Sequence, residues 1–592
     1  MRRTSKLLKL TALCLILSLA AGCAGTQTGE GELPQQAADE PGTVRQEEES
    51  IADWKLRDNS AVYELDDPYS VVTMYLTVRK GNAAEGTDHT WEEVNTHSAY
   101  YYDELGIDRY QVAAILQVGD ESGPLPGEFG YGENVPNAVV QIRGQTSSRN
   151  AQKSFKISIK DGKGTWREQK TIALNKHMTD GLRFRNKLCY DLMQEIPQMM
   201  SARTQFVHLY VKDETASGSG EFVDYGLFTQ VEQINKTYLR SHGLDRNGQL
   251  YKINFFEYQR YEDVIRLSTD PEYDITAFEE QLEIKGDDDH TKLIAMLDAV
   301  NDYTVPIEEV VEEYFDAENL CYWMAFHILA GNTDTEARNY YLYSPLNSEK
   351  FYVISWDNDV AFKREEYRLS GRIEGGAWQR GLSNYWGNIL YQRMFKVQAY
   401  RDMLDEAIND LRENYLTEEK IAGMAEAYAE VVKPYVYSMP DIVYAPLTEE
   451  EYDQIAEGVA CEVEENYGYY LESLEKPMPF YIGTPTVSGD DMTFVWDVSY
   501  DFDGEAVAYT FELDDDYLFE DPIYKEEGLR YPSVILDTLP AGQYFIRVTA
   551  QNESGYSQTA FDYYVTDIGK HYGVKCFYVL EDGTVEEDVY EE

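Results

Sequence analysis

Between Gly331 and Asp359 the chain reads Gly-Asn-Thr-Asp334-Thr-Glu-Ala-Arg338-Asn339-Tyr-Tyr-Leu-Tyr and then, after a short excursion, Phe351-Tyr-Val-Ile-Ser-Trp356-Asp357-Asn358-Asp359. An Asp followed five positions later by an Asn, with a second acidic cluster closing an apolar run, is the layout of a magnesium-dependent phosphoryl-transfer site. Asp334, in a loop beyond a helix end, suits the orienting of an attacking hydroxyl. Asn339 would turn its amide oxygen to a cation held by Asp357. Asp359, two positions along a strand from Asp357, would share its face and either the same metal or a second one. Mg²⁺ needs few protein ligands and takes the rest from phosphates and water; Mn²⁺ is the alternative. The bland reading of Trp-Asp-Asn-Asp is a calcium or turn motif, and no D-x-D-x-D-G loop accompanies it.

Opposite charge lies upstream. From Arg143 to Lys187 twelve Arg and Lys face three acids (Asp161, Glu168 and Asp180), a local net charge of +9 in a chain whose total is −56. Such an island concentrates anions, against the alternative of a chance basic sheet face. The loop Arg143-Gly144-Gln-Thr-Ser147-Ser148 offers backbone N–H groups and hydroxyls to a polyphosphate. In Ser154-Phe-Lys-Ile-Ser-Ile-Lys160, alternation puts Lys153 in register with Phe155, Ile157 and Ile159, at the mouth of a core. That makes it the first candidate for a phosphate, with Lys156 on the other face as the second. Glu232 has two readings of equal weight, a lysine or nucleotide partner or a structural ion pair. Arg143 and Arg185 likewise each read as a phosphate contact or an ordinary surface pair. His97, His177, His208 and His327 show no metal spacing and read as packing or surface residues, and the six cysteines show no zinc pattern.

These groups need elements to hold them. Residues 60 to 255 are β-rich, with strands predicted at Val71–Val78, Tyr110–Val118, Val139–Arg143, Ser154–Lys160, Val207–Val211 and Tyr225–Val231, and helices at 183–196 and 231–242. From 256 to 478 the periodicity becomes helical. Asp316 is a predicted N-cap, Gly331 the matching C-cap, and Tyr340–Tyr343 and Phe351–Ser355 are strands that carry the two motifs at their ends. A β-rich lobe followed by a helical lobe is the order of an α+β, kinase-like bilobal enzyme. Residues 479–567 change to short alternating strands around Trp496, with Tyr544, Ile546 and Val548 on one face, which resembles a fibronectin type III β-sandwich. Residues 568–592 read as an acidic tail.

Residues 1–22 carry Arg2, Arg3, Lys6 and Lys9 before an apolar run, the pattern of an export signal. Leu19-Ala-Ala-Gly-Cys23 resembles a bacterial lipobox, with Ala20 where a larger apolar residue is usual. Cys23 is then the lipidated residue and the anchor to the outer face of the cell membrane. Residues 23–55 are a flexible tether. The net charge of −56 excludes a general nucleic-acid binder.

Four blocks resemble the CotH kinase family, named for a spore coat protein H: Arg143-Gly-Gln-Thr-Ser-Ser with Lys153-Ser-Phe-Lys156; Leu182-Arg-Phe-Arg-Asn186 with Tyr190-Asp-Leu192; Tyr225-Gly-Leu-Phe-Thr-Gln-Val-Glu232; and Gly331-Asn-x-Asp334 to Trp356-Asp-x-Asp359. The resemblance covers roughly 70 to 440. Thr146 stands where the family often has Ser. His-Arg-Asp and Asp-Phe-Gly of ordinary kinases are absent as written. The resemblance implies an atypical protein kinase that uses ATP to phosphorylate Ser or Thr on secreted or surface proteins, with Asp334 catalytic and Asn339 and Asp357 on the metal. Two other readings keep the fold and change the chemistry. One is a non-catalytic surface scaffold or adhesin whose β-sandwich binds a protein or glycan; the other is a hydrolase of phosphate compounds.

Overall fold

The computed structural model describes residues 56–216, 220–371, 375–567 and 569–588. The export signal, Cys23 and the tether lie outside them. No helix among the described residues is long and apolar enough to cross a membrane.

Seven strands close into a barrel. Val71–Arg79 lies beside Thr204–Asp213, and the path continues through Phe222–Glu232, Thr171–Asn175, Ser154–Ile159 and Ala138–Arg143 to Val112–Asp120, which pairs back onto Val71–Arg79. Only the pairing of Val71–Arg79 with Thr204–Asp213 is parallel; the others are antiparallel. Alternation fills the inside with Leu76, Leu116, Val140, Phe155, Ile157 and Ile172. It leaves Lys156 and Ser158 on the outer face, both part-exposed. Closure removes the sheet edges that would otherwise invite pairing with another chain.

A second, four-stranded antiparallel sheet runs Leu282–Ile284, Gln249–Ile253, Tyr340–Ser344, Tyr352–Ser355. Gln249–Ile253 therefore belongs with Tyr340–Ser344 and Tyr352–Ser355 and not with the first lobe, so a boundary at 255 falls too late; the barrel ends at Glu232. The helix Ala317–Leu329 backs this sheet. The Asp316 carboxylate caps it by accepting from the Asn319 N–H, and Gly331 takes φ 62° just past its end. Trp323, Phe326 and Leu329 join Leu342 and Val353 in one core with the later helices.

In the C-terminal part, a three-stranded sheet (Thr486–Ser488, Asp491–Val495, Ser533–Asp537) and a larger antiparallel sheet share a core of Phe494, Trp496, Phe511, Ile546, Val548 and Phe577. The expectation of a tail from 568 needs correction. Val574–Val579 pairs with Gly542–Gln551 and buries Val574, Phe577 and Val579, and Val585–Glu587 adds a further strand. The acidic residues beyond Glu581 mask an apolar strand that the sheet requires. This part docks on the helices through aromatic contacts, with Trp386 stacked on Tyr500 at 5.5 Å and Trp378 edge-on to Phe561 at 5.0 Å.

Candidate active site

The Tyr340–Ser344 and Tyr352–Ser355 strands pair in register, Tyr340 opposite Ser355. Just outside that pair, Asn339 and Asp357 both take left-handed backbone conformations, φ 60° and 56°. Asn and Asp tolerate this region better than other residues with a Cβ, and such conformations gather at functional sites. The Trp356 N–H donates to the Asn339 carbonyl at 3.0 Å and closes the hairpin end. The strand stops at Ser355, so Asp357 and Asp359 do not share a strand face as alternation alone suggests. The left-handed turn at Asp357 brings them together instead.

Asn339 Nδ2 donates to Asp334 Oδ2 at 2.8 Å and to the Asp334 carbonyl at 2.9 Å. Asp334 Oδ1 is paired with Arg338 Nε at 3.2 Å, and its side chain keeps 39% of its exposure. The walls around it still desolvate the carboxyl enough to push its pKa up to about 6, with Glu336 and Asp359 adding repulsion against Arg338. Asp357 is raised by burial and by Asp334, against Arg143, Lys252 and Lys363. Asp359 is pushed to about 6 by burial and then by Asp357. Three carboxyls thus lie within one another's fields.

The helix Arg185–Met193 holds this acidic turn. The Asp357 N–H donates to the Tyr190 hydroxyl and the Asn358 N–H to Asn186 Oδ1, each at 3.1 Å. Ser355 Oγ donates to Asn358 Oδ1 at 3.1 Å. His177 sits at the same corner, 3.2 Å from Asn186 Nδ2. Burial lowers its pKa to about 4 despite the opposing pull of Asp359. Nothing in the spacing of His177 along the chain connects it to residue 359.

Across the cleft, Arg143 stands 5.9 Å over the Trp356 ring and feels the charge of Asp357. Gly144 takes φ 84°, and a Cβ there would lie 2.0 Å from Ser147 Oγ, so the loop is closed to any larger residue. Ser148 is committed to that loop: its Oγ accepts from the Ala99 N–H and donates to the Gln145 carbonyl. Lys153 Nζ donates to the Ser148 carbonyl at 2.7 Å, so its ammonium is engaged by the loop itself. Lys156, on the outer face, is the lysine that meets the charges of the second sheet, Glu283 and Lys285. Glu232 is buried away from the acids, 2.9 Å from His242 Nε2, with Asp58 on the other ring nitrogen at 2.7 Å.

Most of the basic island is matched by the protein's own carboxylates. Seven of its twelve cations are in ion pairs: Lys160, Lys163, Arg167, Lys170, Lys176, Arg185 and Lys187. Lys187 also lines a cavity of about 350 Å³ with Asp191 and Tyr428, on a part of the helix Arg185–Met193 that includes none of the three acids. Among the described residues no three His, Cys, Asp or Glu side chains form a preformed metal cage. The donors at hand are carboxylate and amide oxygens beside cationic groups, a set that fits a hard cation completing its shell with phosphate and water.

Residues 140–470, over half of the chain, match the family model described as CotH kinase protein. The chain is 25% identical over 362 residues to the inner spore coat protein H of Bacillus subtilis (strain 168), covering 60% of this chain and 91% of that protein. Two solved structures align more loosely. The HipA–HipB–operator complex of Shewanella oneidensis MR-1 is 12% identical over 59% of this chain and 68% of that one, with a TM-score of 0.21. The twitchin kinase region of C. elegans is 20% identical over 17% of this chain and 20% of that one, with a TM-score of 0.12. At these TM-scores neither describes the fold.

Proposed function

The chain belongs to the CotH kinase family, and on that premise we propose that it transfers the γ-phosphate of ATP to Ser or Thr hydroxyls of exported or surface proteins. The observation that carries this reading is the meeting of Asp334, Asp357 and Asp359 in one cleft with Arg143 facing them. Asp334 orients the acceptor hydroxyl and takes its proton, and a pKa near 6 is well matched to that task at neutral pH. Asn339 fixes the Asp334 carboxyl through Nδ2 and leaves Oδ1 available. Asp357, Asp359 and Asn339 Oδ1 would hold Mg²⁺, or Mn²⁺ in its place. When bound, the cation supplies charge neutralisation at the phosphoryl oxygens. Arg143 and Lys156 hold the phosphate tail from the barrel side. Export and a lipid on Cys23 complete the proposal, in keeping with a relative named for the spore coat.

The test is transfer of labelled γ-phosphate to the chain itself or to a casein-like acceptor. Asp357→Asn is the cleaner variant, because Asn tolerates the left-handed backbone that Ala would strain. Wild type should label in Mg²⁺, and Asp357→Asn and Asp334→Asn should each lose about a hundredfold or more. Equal labelling by all three proteins would overturn the assignment.

A further inference from the structure

Two lysines near the cleft have protein partners: Lys153 has the Ser148 carbonyl and Lys363 has the Thr179 carbonyl. Arg143, Lys156 and Lys252 differ. Among the described residues no hydrogen bond or ion pair engages any of the three side chains, and Arg143 lies 5.9 Å from the centre of the Trp356 ring. They come from two layers. Arg143 and Lys156 belong to neighbouring barrel strands, while Lys252 lies on the Gln249–Ile253 strand of the second sheet, flanked in register by Tyr341 and Glu283. Glu283 does not neutralise them, because its carboxylate is taken by Lys285. The charges of Lys156 and Lys252 both act on Glu283, and both lysines feel Arg143. Asp357 faces both Arg143 and Lys252, and Glu283, which faces Lys156 and Lys252, is already held by Lys285, so neither carboxylate is private to any of the three cations. All three side chains are half-buried, and that burial depresses each of the unpaired cations.

A desolvated cation without a partner is costly and persists where a ligand supplies the counter-charge. Several cations converging from opposite walls call for an anion with more than one charged group. From this the geometry points to Lys252 as a polyphosphate-binding residue, which grips the donor's phosphate chain from the second sheet while Arg143 and Lys156 grip it from the barrel. This rests on the phosphotransferase reading for the identity of the donor, but the anion site itself can be probed without a nucleotide.

The experiment measures binding of sodium tripolyphosphate and of ATP to the chain by calorimetry, for wild type, Lys252→Met and Lys252→Arg. Lys252→Met should weaken both ligands about tenfold or more, the worth of a charge-assisted contact, and Lys252→Arg should stay within about threefold of wild type. Without ligand, Lys252→Met should melt no lower than wild type, since it removes an unpaired cation and no bond; this separates a binding role from a structural one. Unchanged tripolyphosphate binding in Lys252→Met overturns the inference and leaves the kinase reading standing if transfer persists. Tripolyphosphate binding that depends on Lys252, with no phosphate transfer by wild type, upholds the inference and removes the kinase reading. Failure of wild type to bind either ligand removes both.

Discussion

At the scale of single residues the site is an acid cluster held at a cost. Asp334 and Asp359 stand near pKa 6 and Asp357 is raised as well. A carboxyl whose folded pKa exceeds its unfolded value near 4 holds its proton more tightly when folded. Its stabilising contribution is therefore full below about pH 4 and is lost as pH rises through about 6. Above that window the ionised cluster works against folding unless a cation joins it. In metal-free buffer, Asp359→Asn should match wild type at pH 4 and exceed it at pH 7 by about 1 kcal/mol after allowance for solvent screening. Mg²⁺ at pH 7 should then raise the melting temperature of wild type more than that of the variant. Melting curves at the two pH values with and without Mg²⁺ decide this. A variant less stable than wild type at pH 7 without metal would show that the cluster is not repulsive. The spacing of Asp334, Asn339 and Asp357 was legible in the chain because one hairpin carries all three. Lys252 was not, because its significance depends on Glu283 and Arg143, which only the folded sheets bring near.

At the scale of elements the helix Arg185–Met193 is the positioning device. Asn186 and Tyr190 meet the backbone of Asp357 and Asn358, while Lys187 and Asp191 pair with each other and with Thr204 and Tyr428. Tyr190→Phe removes the acceptor for the buried Asp357 N–H and touches no ligand. The expected loss is about 1–2 kcal/mol of stability. Transfer should also fall, chiefly in kcat, as the Asp357 turn loosens while Arg143 and the lysines keep their hold on the donor. A fall confined to KM for ATP would contradict this division of labour. The helix was predicted as an element, with Arg185 as a candidate phosphate contact; in the structure Arg185 is spent on Asp180 and Glu366. Local patterning tells that a helix forms and which residues are apolar, and is silent on which distant turn its polar groups will meet. The same limit applies to the barrel. Its individual strands alternate visibly, but closure depends on Val71–Arg79 lying parallel to Thr204–Asp213, a pairing that no turn between them announces.

At the scale of the whole molecule the barrel is tied to the helical part by a buried pair. Asp441, in the loop that follows the helix Glu418–Val436, reaches Lys176 on the barrel at 2.6 Å, with both side chains at or below 4% exposure. Its Oδ1 also accepts from Gln152 Nε2 at 2.9 Å, and its Oδ2 from the Leu227 N–H at 2.8 Å. Gly226, at φ 74°, leaves room for this approach, since a Cβ there would lie 2.3 Å from Asp441 Oδ2. Lys176 packs over the Phe228 ring and donates to two carbonyls, so its ammonium stays buried whether or not the carboxylate is present. Asp441→Ala should accordingly destabilise by about 3–5 kcal/mol, because it strands that charge, whereas the double variant Asp441→Ala with Lys176→Met should recover a large part of the loss. The barrel carries Arg143 and Lys156, while the second sheet carries Lys252 and leads into the turn that holds Asp357, so loosening this tie should also weaken ATP binding even though no ligand contact is removed. Denaturant midpoints and ATP titrations on the two single variants and the double variant test both consequences. A double variant as unstable as the sum of its singles would mean that the pair does not act as a unit, and unchanged ATP affinity in Asp441→Ala would mean that the cleft is set by contacts other than this clamp.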